Sequence, residues 1–198
     1  ARGNKTPIVF VPSMHQDLFD DPVTTELLDQ IILEGNYYFV DREKEGRRKQ
    51  PSPVVIVSKL SNLVNSFLKN RKKVAITLGA TRAPIDSVRA IQNASSGKTG
   101  WAIAEHLFMM GHEVYCIAGK TSSHPSIELP NIIRSGSPEE MLSRSLSLAK
   151  MDDKPEVWIH SAAVLDYSMV PEKGKKPSGE DKWEIELRPT LKHISELS

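Results

Sequence analysis

The sequence predicts an α/β protein, a Rossmann-like three-layer fold with a mostly parallel sheet. Short apolar runs alternate with amphipathic helical segments, and the turns between them are short. The small, polar and basic residues that could meet a ligand follow three of the apolar runs, after Leu78, after Ala118 and after Ile159. In a parallel sheet those positions share the C-terminal edge, where ligands collect.

Composition is consistent with this. At 198 residues the chain can bury a core. Its 39% apolar and 26% charged residues are those of a globular protein, not a disordered or fibrous one. A net charge of +1 argues against a polyanion-binding surface, so no nucleic acid is expected as a partner. No apolar run is long enough to span a bilayer and no signal-peptide core opens the chain, so no membrane partner and a cytoplasmic setting are expected. Cys116, the single cysteine, lies inside EVYCIAG and reads as a buried small hydrophobe.

In chain order, PIVFVPSM (7–14) is an apolar run that suits a buried parallel strand. Asp21 and Pro22 mark a helix start, Leu27, Leu28, Ile31, Ile32 and Leu33 form its apolar stripe, and Gly35 stops it. NYYFVD returns to strand chemistry. REKEGRRKQPSP is a charged, Pro-containing stretch that reads as an exposed loop, so residues 1–53 form a small βαβ-like piece and a linker. A connecting helix over 54–71 follows, with Val54, Val55, Ile56, Leu60, Leu63, Val64 and Leu68 on one wide face.

A second α/β unit, 72–198, opens with the strand KKVAITLGA. Next comes a long loop, then a helix starting on Ser-Ser-Gly-Lys and ended by Gly111, and a strand from Glu113 to Ala118. Ser137 is the expected N-cap of the following helix, with Pro138 at its first position and Glu140 three residues after the cap. EVWIHSAAVLDY is a further strand, KWEIELR an alternating strand-like run, and a helix begins after Pro189.

The stretch KKVAITLGATRAPIDSVRAIQNASSGKTG (72–100) organises the unit, because a strand, a loop and a helix N-terminus make an anion site. SSGKTG is not a P-loop: that motif needs a glycine five residues before Gly97, where Gln92 stands. A short-chain dehydrogenase or epimerase reading fails on two counts. The second strand ends in Ala118, Gly119 and Lys120 with no acidic residue for an adenosine ribose, and Tyr167 is followed four positions later by Pro171 instead of a lysine. What remains is Thr81, Arg82, Asp86, Arg89 and Asn93. Arg offers a planar fork for carboxylate and phosphate, and Asn can donate to one oxygen while accepting elsewhere. A plainer alternative has Arg82 and Asp86 simply pairing with each other.

GATRAPIDSVRAIQNASSGKTG resembles the GGTREPIDPVRFISNRSSGKMG signature of phosphopantothenoylcysteine synthetase, and HSAAVLDY with PEKGKK resembles that family's NAAAVSDY and its following K-I-K-K loop. VPSMHQDLFDDPVTTELLDQI resembles the PAMN-x-x-MW segment and helix at the end of phosphopantothenoylcysteine decarboxylase, often fused upstream of the synthetase. The resemblance implies ligation of 4'-phosphopantothenate to cysteine with CTP and Mg²⁺, through an acyl-cytidylate, in a homodimer. FMN is implied only if an upstream decarboxylase domain is present.

The same resemblance carries residue roles. Gly79, Ser95, Ser96 and Gly97 would line the phosphates, and Asn93 would hold the acyl group of the intermediate with Arg89 orienting its anions. Ala162 and Ala163 would leave room for the base. Asp166 would serve the nucleotide and the metal, and Lys173 and Lys176 would close over the triphosphate. Ala80 and Ala83 depart from the signature, and the family's domain continues past Ser198, so the 72–198 unit reads as truncated. Two other classes remain open: an NAD(P)-dependent reductase or epimerase, and a non-catalytic nucleotide-binding or dimerisation fragment.

Overall fold

A computed structural model describes residues 6–179 and 181–197. The chain forms two compact units, Ala1–Lys59 and Leu60–Ser198. In the first unit the described elements are short. Strands β1 (Val9–Phe10) and β2 (Met14–His15) precede helices α1 (Gln16–Phe19) and α2 (Pro22–Leu33), and strands β3 (Tyr37–Tyr38), β4 (Glu43–Lys44) and β5 (Arg47–Arg48) follow. β1 pairs in parallel with β3, while β2 and β4 flank β5 antiparallel. The apolar run 7–14 thus yields β1 and the first residue of β2 instead of one buried strand, and Phe10 stays 40% exposed. Pro12, which cannot donate to a ladder, stands between β1 and β2, and β1 has a single parallel neighbour among the described residues, so neither strand is covered on both faces. Helix α2 starts as its sequence requires: Asp21 accepts from the Val23 and Thr24 N–H groups, and Pro22 occupies the first turn.

Helix α3 (Pro53–Ser66) crosses the division between the units. The second unit then runs β6 (Lys73–Leu78), β7 (Arg82–Pro84), β8 (Ala90–Gln92), α4 (Lys98–Met109), β9 (Glu113–Ala118), β10 (Asn131–Arg134), α5 (Pro138–Ala149), β11 (Val157–His160), β12 (Tyr167–Ser168), β13 (Arg188–Pro189) and α6 (His193–Glu196). Its main sheet has the order β10-β9-β6-β11, parallel throughout. Strand β6 is buried at every position, as expected for a strand covered on both faces.

Alternation along β6 and β9 builds the three layers. Val74, Ile76, Leu78, Val114, Cys116 and Ala118 pack with Trp101 and Ala104 of α4 on one face. Ala75 and Ile117 meet Met141 and Leu148 of α5 on the other. Each fully buried Ile or Leu contributes about 1.5–3 kcal/mol by leaving water. Helix α5 begins on Ser137, whose hydroxyl accepts from the Glu140 N–H at 3.1 Å, while the Glu140 carboxylate takes the Gly136 N–H at 2.6 Å. In α3, Asn62 and Asn65 donate to the Phe108 and Met109 carbonyls at 2.8 Å, tying this helix to the end of α4.

Several sequence expectations give way. Strand β11 stops at His160, short of the apolar stretch that follows it. The 79–93 loop folds back as the β7–β8 hairpin, with Pro84 opposite Ala90. KWEIELR is not a strand: only Arg188–Pro189 pairs, with Tyr167–Ser168, and Ile185 and Leu187 remain 37% and 45% exposed. Alternation specifies which face points inward only when a neighbouring strand supplies the ladder. Strand β10, unmarked in the sequence, is a half-buried four-residue edge beside β9. Among the described residues no helix is long and apolar enough to cross a membrane.

Candidate functional site

In the order β10-β9-β6-β11, the chain leaves β6 towards β9 on one side and reaches β11 on the other, so a switch point lies between the C-terminal ends of β6 and β11. Two sequence motifs meet there. The Asn93 side-chain amide donates to the Ala163 carbonyl at 3.2 Å, and the Thr81 N–H donates to the same oxygen at 3.2 Å. Ala163 N–H returns a bond to the Gly79 carbonyl at 2.8 Å. Thr81, fully buried, accepts from Leu165 N–H at 2.8 Å. Gly79, Asn93, Ala162 and Ala163 are therefore brought together, with both alanines half-buried.

The start of α4 lies alongside. Gly97 caps it in the left-handed region with φ 76°, and a Cβ there would come within 2.4 Å of Thr121 Cγ2. Gly79 has φ 79°, and a Cβ on it would stand 2.7 Å from the Lys120 carbonyl oxygen. A Cβ on Gly100 would strike Leu78 Cβ at 2.4 Å, so glycine lets the helix N-terminus approach the strand end. Ser96 carbonyl accepts from Ser123 N–H at 3.1 Å, and Trp101 Nε1 donates to the Ser123 carbonyl at 3.1 Å. The loop after β9 thereby props Ser95, Ser96 and Gly97 in place. First-turn N–H groups of a helix lack partners within it, so this end is disposed to receive an anion.

The hairpin tip carries the charged part. Asp86, its side chain fully buried, takes the Val88 and Arg89 N–H groups on Oδ1 at 2.8 Å each. Its Oδ2 takes Arg89 Nε at 2.9 Å, Arg89 Nη2, and the Lys176 N–H at 3.2 Å. The Arg89 guanidinium beside it, first of all, holds the Asp86 carboxyl well below the usual carboxylate range. So Asp86 pairs with Arg89, and the Arg82–Asp86 pair weighed from spacing is not formed: Arg89 lies across the turn from Asp86, whereas Arg82 sits at the base of β7. Arg89 also stacks on Trp183, 4.2 Å from the ring centre, with Lys176 Nζ 5.3 Å from the same ring.

Asp166 and Lys173 stand apart from these groups, while Lys176 belongs to the hairpin-tip cluster. Asp166 is 64% exposed and ion-paired with Lys192, whose pKa is raised chiefly by that bond. Thr190 N–H holds the Asp166 carbonyl at 2.9 Å. Lys173 is exposed at the crest of the 171–176 loop, and Lys176 reaches Asp86 through its backbone. Residues that local sequence does not mark also shape the site. Thr121 and Ser123 act through their loop's packing against Gly79 and the start of α4, and Trp183 is hidden in an alternating run.

Residues 69–198 match the DNA/pantothenate metabolism flavoprotein C-terminal domain. Over 192 residues the chain is 35% identical to the coenzyme A biosynthesis bifunctional protein CoaBC of Thermococcus kodakarensis, covering 97% of this chain and 47% of that protein. The chain spans about half the length of the curated relatives it matches. Among solved structures, the C-terminal domain of a CoaBC protein aligns with TM-score 0.50 at 30% identity, over 67% of this chain and 60% of that one. A Cab2 variant in complex with phosphopantothenate-cysteine aligns with TM-score 0.55 at 21% identity over 74% of this chain and 67% of that one, a likeness of fold alone.

Proposed function

With residues 69–198 making this chain a member of the DNA/pantothenate metabolism flavoprotein C-terminal domain family, we propose that it serves coenzyme A biosynthesis as a phosphopantothenate-cysteine ligase. A carboxylate oxygen of 4'-phosphopantothenate attacks the α-phosphorus of CTP, and the bond to pyrophosphate breaks. The cysteine amine then attacks the acyl carbon of the acyl-cytidylate, forming the amide and releasing CMP and a proton. Two like charges 4 Å apart at an effective dielectric near 20 repel by about 4 kcal/mol, so placement and charge neutralisation dominate both steps.

The observation that carries this reading is the bond from Asn93 to the Ala163 carbonyl at the switch point, beside the Gly97 helix start. It sets an amide next to the place where a nucleotide phosphate would meet backbone N–H groups. In this reading Asn93 holds the acyl group, Gly79, Ser95, Ser96 and Gly97 take the phosphates, Ala162 and Ala163 leave space for the base, and Arg89, Lys173 and Lys176 supply positive charge. Magnesium commonly binds substrate phosphates with one or two carboxylates. Asp166, whose Oδ1 pairs with Lys192, has Oδ2 to offer it, and the ion would neutralise phosphate charge. The reading includes a cytoplasmic homodimer, checked by sedimentation velocity, and assigns FMN only to an upstream decarboxylase domain.

The test is incubation with CTP, Mg²⁺, 4'-phosphopantothenate and cysteine. Pyrophosphate release that requires phosphopantothenate supports the ligase. CTP binding without such release makes the chain a nucleotide-binding fragment, and tight NADP binding favours a reductase.

A further inference from the structure

We propose that Asp86 is a positioning residue that locks the Arg89 guanidinium and the 171–176 lysine loop into one unit; its consequence for turnover rests on the ligase reading above. The two carboxylate oxygens divide the work. Oδ1 closes the hairpin turn by accepting from Val88 and Arg89 N–H, both at 2.8 Å. Those two bonds suffice for an Asx-type turn. Oδ2 is not needed for the turn, and all its partners are elsewhere: Arg89 Nε at 2.9 Å, Arg89 Nη2, and the Lys176 N–H at 3.2 Å.

The lock has a second side. Arg89 Nη2 also donates to the Lys176 carbonyl at 2.9 Å, so Asp86 and Arg89 together grip both backbone groups of one lysine. Ser87 N–H donates to the Gly174 carbonyl at 3.1 Å and Glu172 N–H to the Ile85 carbonyl at 2.8 Å, extending the attachment along the loop. Gly174 has φ 76°, the left-handed bend that turns the loop back to the hairpin. Trp183 stacks under the guanidinium at 4.2 Å. With Nε and Nη2 committed, the fork presents Nη1 as the edge that remains for an anion, and the side chain is 36% exposed.

A fully buried carboxylate is retained at a cost unless every lone pair is used. Here both oxygens are used, and one set of bonds serves only to join two cationic parts. Asp86 therefore touches no substrate and acts through Arg89 and the lysines.

Asp86→Asn separates the two jobs. Its oxygen can keep the turn, while its amide turns two donors towards Arg89 and the Lys176 N–H. Without these hydrogen bonds to a charged group, the Glu172 and Lys176 amides should exchange hydrogen at least about tenfold faster, while the Ala75–Leu78 amides of β6 keep their protection. In turnover, KM for CTP should rise about tenfold and KM for cysteine should stay. A variant that is merely misfolded would lower kcat with both KM values unchanged. Should Asp86→Asn fail to fold, Arg89→Lys, which keeps the charge but loses the fork, is expected to give the same loop exchange. Unchanged exchange overturns the lock, and faster exchange with unchanged CTP kinetics overturns its role in the reaction. Faster exchange in a protein without ligase activity leaves the lock standing and removes the ligase reading.

Discussion

Asn93 and Ala163, separated by 70 positions, are joined by a 3.2 Å hydrogen bond from the Asn93 amide to the Ala163 carbonyl. The bond fixes which end of the Asn93 side chain is the donor. It also leaves the amide oxygen on the other side of the group, where it cannot repel the Ala163 oxygen.

Asn93→Asp turns that contact into two oxygens facing each other. Loss of one bond and the new repulsion should lower stability by about 1–2 kcal/mol, which a half-buried residue at a loop end tolerates without unfolding. Ligase turnover, by contrast, should fall about 10²-fold or more, the usual consequence of losing an oriented donor at a reacting carbonyl. Thermal melts and pyrophosphate-release kinetics on the same preparation separate the two effects. Unchanged kinetics would take Asn93 out of the mechanism.

Gly119 and Gly174 make opposite demands on a new methyl group. At Gly119 a Cβ would lie 2.3 Å from the Ala80 carbonyl oxygen, a backbone atom tied by its own bond from Lys120 N–H at 2.8 Å. At Gly174 nothing stands within 4 Å and only the left-handed φ resists substitution. Gly119→Ala should therefore cost about 2–3 kcal/mol and Gly174→Ala about 1 kcal/mol. Urea unfolding midpoints compare them directly, and an equal loss would mean that β6 and the loop after β9 can slide apart.

These glycines show where local sequence stops being informative. Ser137, Pro138 and Glu140 announce the α5 start because capping is settled within four residues. Strands β6 and β9 are legible because both faces of each are covered along residues 74–78 and 116–118, where every position is apolar or small. The Arg89 pairing is not legible in that way: Arg82 and Arg89 both lie within four residues of Asp86, and only the fold of the hairpin chooses between them. Trp183 and the end of β11 depend on what the chain packs against far away. The motif residues after Leu78 and Ile159 do converge, since parallel strands put their C-terminal ends on one edge whatever the loops do.

Cys116 illustrates a residue whose chemistry follows from its strand alone. It is fully buried in β9, and burial pushes its thiol up to about 12, with Arg134 opposing only weakly. The thiolate is the reactive form, so the folded protein should resist a disulfide reagent at pH 8 for hours and react with one equivalent in denaturant. Rapid labelling of the native protein would place the opening of the β9–β10 edge among the low-energy fluctuations.

His193 makes stability depend on pH in a direction that can be worked out. It is 7% exposed, and its pKa is lowered first by burial and further by the charge of His160, with the Pro138 carbonyl and Glu139 pulling the other way. The unfolded chain, with an ordinary histidine near 6.5, therefore takes up a proton that the folded state refuses. Stability is complete above about pH 6.5 and declines as pH falls below it, because the unfolded state binds more protons there. His160, also lowered by burial, adds to the same slope. Replacing His193 by Gln keeps a polar side chain but removes the titration. The drop in urea midpoint between pH 7.5 and pH 5.5 should then be smaller than in the native protein, with His160 accounting for what remains. An identical drop would mean that His193 accepts its proton within the fold, in which case the burial of its ring does not govern its charge.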